Sequence, residues 1–207
     1  ITLMSVLTFN RSSAFSVPNV ISGSGTLTQA GTGTTSLSAN NTYAGTTTIS
    51  AGTLSIGAGG TTGTLGIGAV INNGILQINR SNAITVANDI SGTGALTKTS
   101  AGSSTTLTLT GNNSYSGTTT ITEGTVQVGN GGTTGTLGTG GVVTTGGTLA
   151  LNRSDASYRH AVRALPDLEH QSGGILGVGR QQPEPERTAA DDDIDPHGPG
   201  CRSRGSH

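Results

Sequence analysis

Asn40-Asn41-Thr42-Tyr43-Ala44-Gly45-Thr46-Thr47-Thr48-Ile49-Ser50-Ala51-Gly52-Thr53-Leu54-Ser55-Ile56-Gly57 is the stretch whose reading decides the fold. It returns as Asn112-Asn113-Ser114-Tyr115-Ser116-Gly117-Thr118-Thr119-Thr120-Ile121-Thr122-Glu123-Gly124-Thr125-Val126-Gln127-Val128-Gly129. Each copy reads as a polar turn, a Thr-rich strand closing on an aliphatic residue, a break at one Gly, and a second strand with aliphatics at alternate positions.

The flanks of this unit repeat too. Leu7-Thr8-Phe9-Asn10-Arg11-Ser12 returns as Leu76-Gln77-Ile78-Asn79-Arg80-Ser81 and as Leu149-Ala150-Leu151-Asn152-Arg153-Ser154, at offsets of 69 and 73 residues. Ile21-Ser22-Gly23-Ser24-Gly25-Thr26-Leu27 returns from Ile90, and Gly57-Ala58-Gly59-Gly60-Thr61-Thr62-Gly63-Thr64-Leu65-Gly66 returns from Gly129. The sequence thus predicts a repeat region over 1–156, with nearly full copies at 7–78 and 76–151 and the start of a third. Each copy divides into three segments, Ile21 to Gly45, Thr46 to Gly68 and Ala69 to Asp89, each the length of one coil of a short-strand solenoid.

Within a segment the aliphatics alternate, as in Leu54 and Ile56, Leu76 and Ile78, Leu107 and Leu109, Val126 and Val128, Leu149 and Leu151. Alternate residues share one face of a strand. Every coil then offers an aliphatic stripe to the inside and Thr, Ser or Gln to the outside, and coils stacked about 4.8 Å apart bury the stripe against one another. The expected fold is all-β, a parallel β-solenoid of six to seven coils with no helix longer than two turns. Gly suits its corners, and Thr suits its exposed strand positions.

Composition agrees with a slender column. Only 31% of the 207 residues are hydrophobic and 2% aromatic, too few for a conventional globular core. A disordered chain would pair low hydrophobicity with high net charge, whereas the net charge here is -1. No basic patch interleaved with aromatics suggests a nucleic-acid partner. No apolar run nears the roughly 20 residues of a membrane span, so direct membrane insertion is not expected. Ile1 in place of an initiating Met predicts a fragment whose export signal, if any, lies upstream.

The run Gly-x-Gly-Thr/Ala-Leu-Thr, then Leu-Ser/Thr, then Asn-Asn-Thr/Ser-Tyr-x-Gly-x-Thr-Thr-Ile-x-x-Gly-Thr-Leu/Val resembles the autotransporter-associated β-strand repeat, found in passenger regions of large bacterial type V secreted proteins. The resemblance covers residues 1 to about 156. It implies a right-handed parallel β-helix of pectin lyase-like fold, secreted to the cell surface or beyond. It further implies a C-terminal outer-membrane β-barrel translocator in the full-length protein, absent from this sequence. Thr46 and Thr118 stand where that repeat often has an extra Gly after Tyr-x-Gly.

Candidate chemistry is sparse. Residues 1–154 hold no His, no Cys and two carboxylates, Asp89 and Glu123, in different segments. Acid/base catalysis and metal binding need clustered groups, so no catalytic, cofactor-binding or metal-binding residue and no cofactor is expected. The Gly57–Gly66 and Gly129–Gly138 runs lack the Lys-Ser/Thr of a phosphate loop and the Asp of calcium-binding nonapeptides, and read as corners. Tyr43 and Tyr115 are expected to pack over turns rather than stack on a sugar ring. Arg11, Arg80 and Arg153 are expected to form an exterior ladder, about 14 Å apart if three coils separate them. Asn10, Asn40, Asn79, Asn112 and Asn152 open Asn-x-Ser/Thr sequons, read as turn residues.

After Ala156 the chain changes character. All four His, the only Cys and five of six Pro follow Ser157. Asn152-Arg153-Ser154-Asp155-Ala156 matches Asn79-Arg80-Ser81-Asn82-Ala83, but Ser157-Tyr158-Arg159 stands where Ile84-Thr85-Val86 should recur. A break inside a strand motif points to a frameshift, with 157–207 a disordered tail. Asp191-Asp192-Asp193-Ile194-Asp195 is not a calcium loop, since Pro196 replaces the turn Gly and Arg202 the bidentate Glu. Cys201 has no partner thiol in the sequence.

The expected function is non-catalytic: a surface stalk that presents other regions and assists secretion. The alternative is an adhesin whose repeat face binds polysaccharide or a host cell, and the weakest reading is a β-helix polysaccharide lyase or hydrolase.

Overall fold

The computed structural model describes residues 1–99 and 105–155. The first strands are β1 (Thr2–Leu3), β2 (Val6–Phe9), β3 (Phe15–Val17), β4 (Ser22–Gly23), β5 (Thr26–Gln29) and β6 (Thr34–Leu37). There follow β7 (Thr47–Ile49), β8 (Thr53–Ile56), β9 (Val70–Asn72), β10 (Ile75–Asn79), β11 (Ile84–Val86) and β12 (Ile90–Ser91). The last are β13 (Ala95–Thr99), β14 (Thr106–Leu109), β15 (Thr119–Ile121), β16 (Gly124–Val128), β17 (Val142–Thr144) and β18 (Gly147–Leu151). Among the described residues there is no helix.

All recorded pairings are parallel, and they join strands one turn apart rather than neighbours in sequence. One long side is the seven-stranded sheet β3-β6-β8-β10-β13-β15-β17. A second is β2-β5-β7-β9-β12; the third holds β1-β4 at one end and β11-β14-β16-β18 at the other. Leu27 stands beside Thr47, Thr47 beside Val70 and Val70 beside Ile90, so the chain takes 20, 23 and 20 residues to come round. The fold is a parallel β-solenoid of about seven turns, as the alternating aliphatics predict.

The core is a set of ladders running along the column. Leu54, Leu76 and Leu96 form one, and Leu37, Ile56 and Ile78 its neighbour. Leu107 with Val126 and Leu109 with Val128 continue on the third side. Leu54, Ile56, Leu76, Ile78, Leu107, Leu109, Val126 and Val128 are fully buried, as the period-two pattern requires.

The rule that Thr, Ser and Gln face outward needs correction. Thr35, Thr47 and Thr119 are buried, as are Gln29, Ser55, Asn72 and Lys98. Thr35 sits in the Leu54 ladder and Thr47 between Leu27 and Val70. The bore is narrow enough for a Thr methyl to fill it, and hydroxyls or amides that reach a corner carbonyl can be buried at modest cost.

Turn and sequence repeat are out of phase. From β2, three turns along one sheet lead through β5 and β7 to β9, whereas the sequence copy of β2 is β10, one side further on. One repeat is therefore three turns and one additional side, about 16 Å of column. Consequently Arg11, Arg80 and Arg153 follow strands of three different sheets, β2, β10 and β18. They spiral around the column and form no ladder on one face, contrary to expectation.

Candidate functional site

The distinctive side chains of each repeat converge on the Gly-rich excursion that bulges from the third side, Gly57–Gly68 in the first copy. The turn below grips it first. Asn41 takes the Ile21 amide on its Oδ1 at 2.9 Å, donates its Nδ2 to the Thr64 carbonyl at 2.7 Å, and gives its own backbone N–H to Thr64 Oγ1 at 2.7 Å. Asn40 Oδ1 accepts the Gly63 amide at 3.1 Å. Gly63 has φ of 114°, a left-handed conformation that suits Gly.

Tyr43 lies beside these groups and is fully buried. Its hydroxyl shares a hydrogen bond with Thr47 Oγ1 at 2.7 Å, and burial pushes its pKa above the ordinary value. Tyr115 is buried in the same way, with Thr119 Oγ1 at 2.7 Å. Neither ring is available to stack on a sugar, in keeping with the packing role read from sequence.

The turn above supplies the second grip. Arg80 donates Nη1 to the Gly63 carbonyl at 2.6 Å, Nη2 to the Thr61 carbonyl, and Nε to Asn82 Oδ1 at 3.0 Å. Desolvation lowers its pKa from the ordinary guanidinium value. Backbone bonds reinforce the clasp, from Gly59 N–H to the Asn79 carbonyl and from Ser81 N–H to the Gly60 carbonyl, both 3.0 Å. Asn88 Nδ2 reaches the Gly66 and Gly68 carbonyls at 2.8 and 2.6 Å.

The second copy repeats this arrangement. Asn113 binds the Ile90 amide and Thr136, and Arg153 binds the carbonyls of Gly135 and Thr133. Asp155 replaces Asn82 and forms an ion pair with Arg153 at 2.8 Å. Arg11 has no such excursion against it; it bonds Ser13 Oγ at 3.2 Å and lies over the Phe15 ring at 5.0 Å. The Gly-rich runs thus present carbonyls to a guanidinium rather than a nest of amides to a phosphate.

One further polar position lies in the bore. Lys98 stands in the aliphatic ladder between Ile78 and Ile121 and is 1% exposed. Its Nζ donates to Thr105 Oγ1 at 2.9 Å and to the Thr99 carbonyl at 3.0 Å. Burial lowers its pKa from the ordinary lysine value, while Glu123 partly opposes the shift. Its counterpart Gln29 donates to the Gly31 and Gly33 carbonyls. Sequence reasoning missed both, although Leu27-Thr28-Gln29 and Leu96-Thr97-Lys98 place them on the aliphatic side by alternation.

The two carboxylates of the repeats remain apart in role. Asp89 is exposed and accepts the Asn112 amide at 2.6 Å, while Glu123 is exposed above the Lys98 corner. Among the described residues no group of three or more His, Cys, Asp or Glu stands close enough to hold a metal ion. Asp191–Asp195, Cys201 and the tail as a whole lie outside the described residues.

Asn41, Tyr43, Asn113 and Tyr115 lie within stretches that are similar to known proteins. Residues 27–56 and 96–128 match the passenger-associated-transport-repeat family. Both copies of the unit carry a stretch of this passenger-associated repeat. A 56-residue stretch, 27% of the chain, is 50% identical to the adhesin BmaC autotransporter of Brucella suis biovar 1 (strain 1330), and covers 2% of that relative. The passenger repeats therefore correspond to a small part of a much longer protein in that case. No solved structure matches the chain.

Proposed function

We propose that these passenger repeats form a non-catalytic β-helical stalk that holds other regions of an autotransporter away from the cell surface and assists secretion by folding progressively outside the cell. The observation that carries this reading is the use of the repeat's own motif residues. Tyr43, Asn41 and Arg80, and their counterparts Tyr115, Asn113 and Arg153, bond to backbone and hydroxyl groups of the column itself instead of converging on an outer cleft. The repeats differ from a ligand site in that their specific residues serve the column.

In the full-length protein we place a C-terminal outer-membrane β-barrel translocator as partner and the bacterial surface or medium as location, on the strength of the repeat family. The relative named an adhesin keeps a second reading in play, in which the outer Thr and Ser face binds polysaccharide or a host surface. A glycan array and a cell-binding assay with the purified chain separate the two. Absence of saturable binding is expected; reproducible saturable binding overturns the stalk-only reading.

A further inference from the structure

We propose that the Gly57–Gly68 excursion and its copy beginning at Gly129 are latches that make the whole repeat, rather than the single turn, the unit in which the column opens and closes. The proposal deepens the stalk reading and rests on it.

A solenoid of near-identical turns is quasi-one-dimensional, each turn held by its neighbours, and would fray turn by turn from an end. Most side-chain bonds here fit that picture, tying one turn to the next, as Asn72 to the Ala95 carbonyl and Thr122 to the Lys98 carbonyl do. The excursion differs in how many such bonds it gathers and in their kind. Asn40, Asn41 and Tyr43 hold it from the turn before, and Asn79, Arg80, Ser81 and Asn88 hold it from the segment after. Each of these bonds joins adjacent turns, but they are gathered on both sides of one excursion and several are charge-assisted or buried, so fraying halts there.

The same set recurs 72 residues later, where Asn113, Tyr115 and Arg153 grip the Gly129 excursion. This gives a physical reason for a sequence period near 70 residues in a column whose turn takes 20–23. Arg80 also reaches back 17 and 19 residues to its two carbonyls. The latch therefore closes only when the chain has come round once more, and afterwards it resists the backing-off of the turns beneath.

Force spectroscopy on the full chain pulled between its ends tests this. Release of one repeat frees about 240 Å of contour, whereas release of one turn frees about 70 Å. The parent should lengthen in repeat-sized steps. An R80Q, R153Q variant that keeps its β-sheet circular dichroism should lengthen in smaller steps at lower force. Turn-sized steps in the parent, or repeat-sized steps in that variant, overturn the proposal. Should the variant not fold, hydrogen exchange of the parent decides: amides between residues 57 and 129 exchanging as one block support the latch, and a smooth gradient from the ends overturns it. Saturable glycan binding, which would sink the stalk-only reading, leaves the step size untouched, so the two failures are distinguishable.

Discussion

Gly66 lies flat against the buried ring of Tyr43, so close that a Cβ on Gly66 would stand 2.6 Å from Cδ2 and Cε2 of the ring. Gly138 stands to Tyr115 in the same way, at 2.5 Å. The two motif residues are 23 positions apart in each copy, one turn of the column, so the bulk of one turn is matched by the missing side chain of the next.

Gly66→Ala and Gly138→Ala should each therefore destabilise the column by about 1–3 kcal/mol through overpacking. Gly60 has nothing within 4 Å of its Cβ position. Gly60→Ala should leave stability within about 0.5 kcal/mol of the parent, as surface changes usually do. Urea unfolding followed by circular dichroism measures all three, and an equal response at Gly60 and Gly66 would count against the ring contact.

Leu76 is fully buried between Leu54 and Leu96. Leu76→Asp should cost several kcal/mol, because it places an unpaired charge among aliphatic side chains. Thr97 points to the outer side of the next turn, and Thr97→Asp should cost far less. A Leu76→Asp protein that melted with the parent would show Leu76 to be an outer residue.

The fold was legible because period-two alternation and the internal repeat both survive in the sequence with little noise, as at Leu76 and Ile78. The phase between repeat and turn was hidden because three segments of unequal length add up to a repeat whether the chain makes three turns or slightly more. Only the pairing of β10 with β8 and β13, away from the sheet that holds β2, reveals the additional side. The clasp between Arg80 and the Gly63 carbonyl was illegible for a related reason, since its partners are backbone atoms that carry no sequence signal. Lys98 was legible in principle by alternation; its charge made an outer place the natural expectation.

The isolated 207-residue chain should self-associate through its first turn. β1, β2 and β3 each pair on one side only, with β4, β5 and β6. Phe15 occupies an inward row beside Thr35 yet is 40% exposed, and Met4 and Val6 are also open to solvent. Unpaired strand edges with apolar side chains template further pairing. Sedimentation velocity should show mass rising with concentration, and Phe15→Lys should reduce it. A monodisperse parent at high concentration would argue that this end is closed.

Lys98 should give the repeats an alkaline rise in stability. Below its folded pKa it is protonated folded and unfolded alike, so the penalty for burying the ammonium is fully present there. Its folded pKa lies below the ordinary value of 10.5. As pH climbs through the folded pKa, the native state sheds its proton before the unfolded chain does, and stability rises because the unfolded state then binds more protons. Tyr43 acts in the opposite sense above pH 10.0, where the unfolded phenol ionises while the buried one stays protonated. Denaturant unfolding between pH 7 and 11 should therefore show a climb that turns over near pH 10. Lys98→Met should remove the climb and keep the downturn, whereas Glu123→Gln, which takes away the charge that opposes the shift, should start the climb at lower pH. A parent whose stability falls steadily from pH 7 would mean that the Lys98 ammonium is not buried at a cost.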